Sequence, residues 1–381
     1  MQSLILRALL VIFLCTLSWQ TQAADPADPG YPVKWEKWSF NWRILPRQGV
    51  VLTRITFDGK PVLKFAGVAE VFVPYNAGEP RPMDQREHPF GKNMIYLEPG
   101  ADCLPGGECR AFGADGKLTG KRAVVMIHEE SPSVVYLAPG ARSKAKMLVL
   151  WSAYALGDYT YIVQWRFGED GSIMPRVALT GRLAHFGGDE TNSTNVGAPE
   201  RALGHVHNLF FCLDFDVDGE KNTVEEFNFT PVGRDHVSAT ATWTPITKEG
   251  PRELSPQNFR SWRVVNRQSK NTLGLPRSYE LIPGGTGIYR GARDEKFAQG
   301  DLWVTRYKPE EVPGIRLLAD SLPTASSGEN TEDQDVVLWY MLSVHHQPRT
   351  EDWPAMPVEW VGFKLMPRDF LDASPVQSKT K

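Results

Sequence analysis

The chain contains 381 residues with a formal net charge of −3, and charged side chains make up 23% of it. This near balance of charge excludes the strong basic field of nucleic-acid binding proteins and the long acidic runs of solvated tails. The 33 glycines, 29 prolines and many short alternating apolar runs favour a mainly β fold, and the length is ample for one large core.

The N-terminus has the parts of a secretory signal peptide. A short start ends at Arg7, an apolar run extends from Ala8 to Trp19, and small residues lead to a cleavage point after Ala23. The apolar run is too short to cross a bilayer comfortably, although an uncleaved signal anchor is the alternative. We therefore expect residues 1–23 to be removed and the mature protein to be secreted or periplasmic, without a membrane segment.

Alternating side chains predict the first strands of the mature chain. Residues Val33 to Trp42 alternate large apolar and polar side chains, which predicts one half-buried strand. The runs Gly49 to Phe57 and Lys60 to Phe65 flank Asp58-Gly59, and this spacing predicts a tight hairpin. Another strand follows from Ala69 to Tyr75.

Residues 80–91, PRPMDQREHPFG, are predicted to form a loop because prolines and charges dominate them. The loop carries Asp84 and Glu87, three positions apart. Loop carboxylates usually face water, so a solvated acidic pair is the simplest interpretation.

Three cysteines remain after signal removal. Cys103 and Cys109 flank the flexible stretch LPGGE, and they could close a small disulfide in an oxidising compartment. Cys212 would then be an unpaired thiol, which we expect to be buried in a strand.

The central hairpin is predicted between residues 159 and 179. Alternation from Tyr159 to Arg166 predicts a strand, and it places on one face the side chains of Tyr159, Tyr161, Val163 and Trp165. Asp170-Gly171 favours a tight turn with two positive φ values, and Ile173 to Leu179 is the predicted return strand. Two tyrosines on such a strand commonly do no more than pack a sheet.

A histidine pair is the first candidate metal-binding feature. His205 and His207 are two apart in an apolar run, so a strand would project both imidazoles from one face, where they could bind one ion. Two histidines on a half-exposed strand face are also an ordinary surface feature.

Acidic residues follow the same run. Asp214 and Asp216 share one strand face, and Asp218-Gly219 opens the next turn. Carboxylates in this position are commonly turn residues. Oxygen ligands also suit a hard cation.

Four motifs together resemble one known family. W-x-K-W-S-F and A-E-x-F-V-P-Y occur at residues 35–40 and 69–75, and GDYTY occupies residues 157–161. Residues 346–357 read H-x-x-R-x-E-D-W-P-x-M-P. These motifs, in this order, are similar to those of the catalytic domain of copper-containing amine oxidases.

The resemblance implies a fold and a domain organisation. It implies a large antiparallel β-sandwich, the supersandwich of the amine oxidase catalytic domain, over residues 33–375. A flexible leader (24–32) would precede this domain and a short tail (376–381) would follow it. We expect the small domains that stand before the catalytic domain in most family members to be missing. The family is homodimeric, so a homodimer is expected.

The resemblance also implies a copper site and a cofactor. The implied copper ligands are His205, His207 and His346, and His345 would face the opposite side of its strand. Three imidazoles with an open water position suit Cu(II), although zinc accepts the same ligands. Tyr159 would be the precursor of topaquinone, with which the substrate amine forms a Schiff base.

Further residues take roles by the same resemblance. Asp84 would be the base that removes the substrate α-proton, and Tyr75 would hydrogen-bond the quinone. A peripheral calcium site is possible, with the ligands Asp214, Asp216 and Asp335.

The implied activity is oxidation of a small primary amine by O2 to aldehyde, ammonia and H2O2. The alternative is a noncatalytic secreted β-sandwich that binds metal but keeps Tyr159 unmodified. This alternative is motivated by Asp158, where the family has Asn, and by Thr160, where it has an acidic residue. A hydrolytic zinc site that uses Asp84 as base is a third interpretation.

Overall fold

A computed structural model describes residues 30–76, 88–103, 109–139, 141–232, 239–285, 287–291, 295–309 and 321–375. Short helical segments are Phe90–Lys92, Pro256–Asn258, Lys296–Gln299, Leu322–Ala325 and Thr350–Asp352. The strands of this part of the chain are β1 (Tyr31–Trp35), β2 (Trp38–Leu45), β3 (Gly49–Phe57), β4 (Lys60–Phe72), β5 (Cys109–Phe112), β6 (Val125–Ala138), β7 (Ala141–Leu156), β8 (Tyr159–Gly168), β9 (Ile173–Gly181), β10 (Ser193–Thr194), β11 (Ala202–Leu203), β12 (His205–Phe215), β13 (Thr223–Pro231), β14 (Ala239–Ile246), β15 (Gly250–Arg252), β16 (Ser261–Lys270), β17 (Pro276–Ile282), β18 (Leu302–Arg306), β19 (Val336–His346), β20 (Met356–Gly362) and β21 (Lys364–Arg368). The predicted mainly β class is confirmed.

Two large antiparallel sheets form a sandwich. One has eight strands in the order β1-β2-β3-β4-β12-β19-β18-β15. The other has eleven, in the order β14-β13-β16-β17-β21-β9-β8-β7-β6-β5, with β20 also paired to β9. Strands β12 and β19 are central in the first sheet and β8 is central in the second, and the candidate site draws on all three.

The core lies between the two sheets. Phe40 of β2 stacks on Phe167 of β8 with ring centroids 4.4 Å apart. Trp165 of β8 meets Phe211 of β12 edge to face at 6.1 Å. All four rings are buried, and such aromatic pairs add specific geometry to the large apolar area they remove from water. The first pair joins β2 to β8 and the second joins β8 to β12. The start of β8 therefore lies over the start of β12.

The first predicted strand was wrong in its extent. The structure divides Val33–Trp42 into two paired strands, with Trp35 opposite Trp38 and the turn residue Glu36 at a φ of 49°. The two-residue turn keeps the alternation in phase, so a period of two cannot reveal the break. The folded chain also begins earlier than expected, because Tyr31 already pairs with Trp42.

The two predicted hairpins differ in their turns. Asp58 and Gly59 both have positive φ (51° and 76°) and join β3 directly to β4, as predicted. The turn after β8 was predicted wrongly, because only Gly171 has a positive φ (85°) there. The Asp170 side chain instead accepts hydrogen bonds from the backbone N–H and hydroxyl of Ser172, at 3.0 and 2.6 Å. These bonds stabilise a longer loop in which Asp170 keeps a negative φ.

The cysteine expectations are met. Cys103 and Cys109 form a disulfide, and Cys212 is a buried free thiol in β12. The proposed signal peptide lies outside the described residues. Within the described ranges, no helix is long and apolar enough to cross a bilayer.

Candidate metal centre

Strand pairing brings three imidazoles together. β12 and β19 are antiparallel neighbours with His205 directly opposite His346, and His207 lies two residues further along β12. One donor nitrogen from each ring lies within 4.8 Å of the others. Residues opposite each other in a sheet project from the same face, which explains the convergence. His345 pairs with Val206 and is exposed, away from this cluster.

Hydrogen bonds on the sides of His205 and His346 that face away from the cluster determine which ring nitrogens carry protons. Nδ1 of His205 lies 3.0 Å from the carbonyl oxygen of Leu203, which can only accept, so Nδ1–H must donate. Nε2 of His346 lies 3.0 Å from Oδ2 of Asp352, and its N–H donates to that carboxylate. In the neutral rings the remaining lone pairs are therefore on His205 Nε2 and His346 Nδ1, which face each other at 3.2 Å.

His207 supplies the third inward nitrogen. Its Nδ1 lies 2.8 Å from the Tyr161 hydroxyl, while its Nε2 is buried and has no hydrogen-bond partner among the described residues. A buried polar atom without a partner is costly, so it calls for a ligand. Two lone pairs that face each other at short range repel unless a cation or a hydrogen-bond donor lies between them, and a metal ion could bind both. The donor set therefore fits a metal ion.

Burial keeps the ligands in the form that binds metal. Burial, followed by the nearby His346, lowers the pKa of His205 to about 3. Burial, followed by His205, lowers the pKa of His207 well below its ordinary value. Both rings are therefore neutral at neutral pH, and metal binding does not first have to displace their protons. Three imidazole ligands suit Cu(II) or zinc.

Tyr159 lies beside this centre. It is the first residue of β8, is 4% exposed, and reaches across the sandwich. Its hydroxyl lies 2.7 Å from His205 Nε2 and 3.3 Å from His346 Nδ1. The phenol therefore touches two of the nitrogens that would bind a metal ion.

Two other rings pack around the centre. Tyr75, which follows β4, forms an isolated bridge with His205, and the two ring centroids are 4.6 Å apart. The ring of His185 also packs on Tyr75, with the centroids 4.1 Å apart. His185 lies in a loop without a recognisable motif, so no sequence pattern predicts its place at the site.

Asp352 is a site residue that was not selected from the sequence. Burial raises its pKa, but hydrogen bonds from His346 and from the Arg349 backbone outweigh this, so the pKa lies below its usual value. The ionised carboxylate orients the His346 ring and strengthens it as a ligand. A sequence pattern could have identified Asp352, because it lies six residues after His346 within the H-x-x-R-x-E-D-W-P-x-M-P motif.

Three other residues considered in the sequence analysis are Asp84, Asp158 and Thr160. Asp84 falls in segment 77–87, outside the described residues. Asp158 is exposed in the loop before β8, and Thr160 points to the opposite side of β8 from Tyr159. The negative charge of Asp158 is thus in solvent rather than between the phenol and the histidines.

The three aspartates of the expected calcium site lie at the other end of β12. Within the described part of the chain, the three histidines are the one cluster of metal-donor side chains that are close enough to share an ion. The ammonium of Lys64 instead lies 2.7 Å from Oδ2 of Asp335. The residues present therefore do not fit a bound calcium ion.

Comparison with known proteins identifies the family. Residues 29–381 match the model of the copper amine oxidase enzyme domain. The chain belongs to the copper amine oxidase family. The primary amine oxidase of Arthrobacter sp. (strain P1) is 29% identical over 411 residues, which cover 93% of this chain and 61% of that protein. Copper amine oxidase 1 of Aspergillus niger is 29% identical over 386 residues, covering 90% and 57%.

A solved structure agrees with this assignment. The copper-containing benzylamine oxidase from Hansenula polymorpha superposes with a TM-score of 0.80 and 25% identity, over 92% of this chain and 62% of that one. The resemblance and the β-sandwich class predicted from the sequence are thus confirmed. This amine oxidase domain spans less than two thirds of the length of these relatives.

Proposed function

We propose that this copper amine oxidase domain oxidatively deaminates a primary amine, using O2, and yields aldehyde, ammonia and H2O2. The copper ligands would be His205, His207 and His346, and Tyr159 would be the precursor of topaquinone. The proposal rests on one observation: the Tyr159 hydroxyl lies 2.7 Å from Nε2 of a buried, neutral histidine in a three-histidine cluster.

The cofactors would supply the redox chemistry, because copper and O2 convert a tyrosine at such a site to topaquinone, whose carbonyl reacts with amines. The chain's own groups prepare that site. A free phenol has a pKa of about 10, so it is mostly neutral at pH 7. Without a metal ion, the Tyr159 hydroxyl can donate a hydrogen bond to His205 Nε2. Once that lone pair bound a cation, the positive charge beside the phenol would favour the phenolate instead.

Neighbouring residues restrict the geometry of the reacting ring. Tyr161 accepts from His207 Nδ1–H and so keeps Nε2 directed inward. Tyr75 packs on His205 at the edge of the centre, and we propose that its hydroxyl hydrogen-bonds the quinone. Asp84 is proposed as the base that takes the substrate α-proton, a role that requires reach to the substrate carbon and a pKa near the working pH.

We also propose that residues 1–23 are a removed signal peptide and that the domain is secreted or periplasmic. Its first strand begins at Tyr31, so the leader would be shorter than the expected 24–32, and 376–381 would be the tail. The Cys103–Cys109 disulfide supports an oxidising compartment. The homodimer is proposed by analogy with the family.

Copper reconstitution tests the function. The metal-free protein is incubated with Cu(II) in air, treated with phenylhydrazine, and digested for peptide mass spectrometry. We expect a visible adduct and a mass change confined to the peptide that contains Tyr159. Tyr159→Phe should bind copper and give no adduct. The matched control Tyr279→Phe, which alters a buried tyrosine bonded to the Gly171 carbonyl, should react as the wild type does.

Adjacent histidines give a second control. His346→Ala removes a proposed ligand and should abolish stoichiometric copper binding, whereas His345→Ala alters an exposed ring and should leave it unchanged. Bound copper together with an unmodified Tyr159 would instead support the noncatalytic alternative. Zinc bound in the native protein, with O2-independent activity, would support the hydrolytic one.

A further inference from the structure

An acidic pocket lies at the end of β12 away from the histidines. We define it by four carboxylates around a single lysine: Asp214, Asp216, Glu220 and Asp335. Asp214 is the penultimate residue of β12, opposite Phe65 of β4, and Asp335 immediately precedes β19. Lys64 is the neighbour of Phe65 on β4 and projects into the pocket.

Lys64 is held by contacts on several sides. Its ammonium lies 2.7 Å from Asp335 Oδ2 and 2.8 Å from Glu220 Oε1, and 5.3 Å from the ring centroid of Tyr307. Burial works against the charged form, but the hydrogen bonds to Asp335 and Glu220 outweigh it and raise the pKa of Lys64. The lysine is therefore a permanent cation inside the pocket.

The pocket also keeps unsatisfied carboxylate oxygens. In the described residues, no hydrogen-bond partner is present for the Oδ1 atoms of Asp214, Asp216 and Asp335. Asp214 is only 2% exposed. Burial, followed by repulsion from Asp335, raises the pKa of Asp214 well above its usual value. The carboxylates thus attract positive charge, and the ammonium of Lys64, which binds Asp335 and Glu220, is the cationic group that lies among them.

We propose that the Lys64 ammonium is the resident cation of the acidic pocket and takes the place of the calcium ion that the family resemblance implies. An ammonium is a compact point charge with three donors, so it can bind two carboxylates at once. A calcium ion needs six to eight oxygen ligands at about 2.3–2.6 Å. An ion bound to Asp335 would therefore be close to the ammonium and would be repelled by it.

Replacing the lysine should convert the pocket into a divalent-cation site. In Lys64→Met the aliphatic stem is largely kept and the charge is removed, so the four carboxylates need another cation. Lys64→Arg keeps the charge. The matched control is Lys37→Met, which breaks an exposed pair with Asp58 at 3.2 Å. The probe is CaCl2 alone, titrated calorimetrically into calcium-free protein and added in thermal unfolding experiments.

We expect the wild type, K64R and K37M to show no stoichiometric calcium binding and no change of unfolding temperature with CaCl2. K64M should bind one calcium ion at least about tenfold more tightly than the wild type, and its unfolding temperature should rise with calcium concentration. Stoichiometric calcium in the wild type would overturn the proposal. So would a K64M variant that gains no affinity.

The design remains decisive if the variant folds poorly. Recovery of K64M on refolding with CaCl2, but not without it, supports the proposal, and failure in both conditions counts against it. The wild-type titration needs no variant. Neither readout involves copper or Tyr159, so failure of the proposed amine oxidase activity leaves this result intact.

Discussion

Replacing Asp352 tests how far the carboxylate behind His346 contributes to metal binding. Oδ2 of Asp352 accepts from His346 Nε2–H at 3.0 Å and from the Arg349 backbone N–H at 2.9 Å. A metal ion on the other nitrogen of the ring makes that Nε2–H a stronger donor. The bond to the carboxylate should therefore be stronger in the metal-bound protein than in the metal-free one.

The magnitude follows from the type of bond. A hydrogen bond to a charged group contributes about 1.5–3 kcal/mol, roughly twice a neutral one. Asp352→Asn keeps an oxygen acceptor but loses the charge, so we expect copper affinity to fall about tenfold. Asp352→Ala removes the acceptor as well, and a loss of about a hundredfold is expected, at the upper end of the usual effect of such partners.

The assay is competition for Cu(II) against a chelating dye, with thermal unfolding of the metal-free variants measured in parallel. The control is Asp58→Asn, which changes an exposed aspartate in a surface ion pair with Lys37 and should leave copper affinity unchanged. An affinity of D352A within about twofold of the wild type would refute the reasoning, since about 0.4 kcal/mol is less than any charged hydrogen bond contributes.

Two further predictions concern the scaffold. A hydrogen bond with His128, together with the Arg166 ion pair, lowers the pKa of Glu130 to about 2. The lowered pKa stabilises the folded state above the unfolded pKa of about 4.5, and this contribution is lost as pH falls toward 2. Between about pH 5 and pH 3, the free energy of unfolding of the wild type should therefore fall by about 2 kcal/mol more than that of Glu130→Gln. Urea unfolding at each pH measures the difference. Gly284→Ala should lower the free energy of unfolding by about 1–3 kcal/mol, because the added Cβ would meet the Gly362 carbonyl oxygen at 1.8 Å.

A different result would contradict each of these two predictions. Equal acid sensitivity of E130Q and the wild type would show that the ion pair contributes nothing to acid stability. Gly100→Ala is the control for the glycine, because no atom lies within 4 Å of its Cβ position and its φ is not positive. If both alanine variants unfold at the same denaturant concentration, the close approach at Gly284 is not a constraint.

Alternation along the chain was sufficient to predict most strands but not where they turn. The odd positions of β8 from Tyr159 to Phe167 are all buried, as predicted, whereas Thr160, Ile162 and Arg166 are only half-buried. Strand β9 begins at the predicted Ile173. The turn at Glu36 was missed because two residues at a turn preserve the apolar phase. The conformation at Asp170 was mistaken because Ser172 offers its side chain a local hydrogen bond, which a dipeptide rule does not consider.

The candidate site was predictable to the extent that its residues lie in motifs. The three histidines and Tyr159 were selected, and the structure brings them together. His185 was not selected, because its contact with Tyr75 joins two distant loops. Lys64 was missed for a related reason. A lone lysine on an alternating strand is normally solvated, and only the pairing of β4 with β12 shows that it faces a carboxylate pocket.

Strand register decides which of two adjacent histidines can bind the metal ion. In the observed pairing of β12 with β19, His205 is opposite His346, and His345 points away. A slip of one residue would exchange the faces of the two rings. The same slip would also exchange the two buried faces of β19. It would take out of the core between the sheets the cross-strand pairs of this register, which include Leu209 with Leu342, Phe211 with Tyr340, and Leu213 with Leu338. Burying each such side chain contributes about 1.5–3 kcal/mol. The apolar core therefore fixes the metal centre, because the packing that stabilises the sandwich also determines which imidazole faces Tyr159.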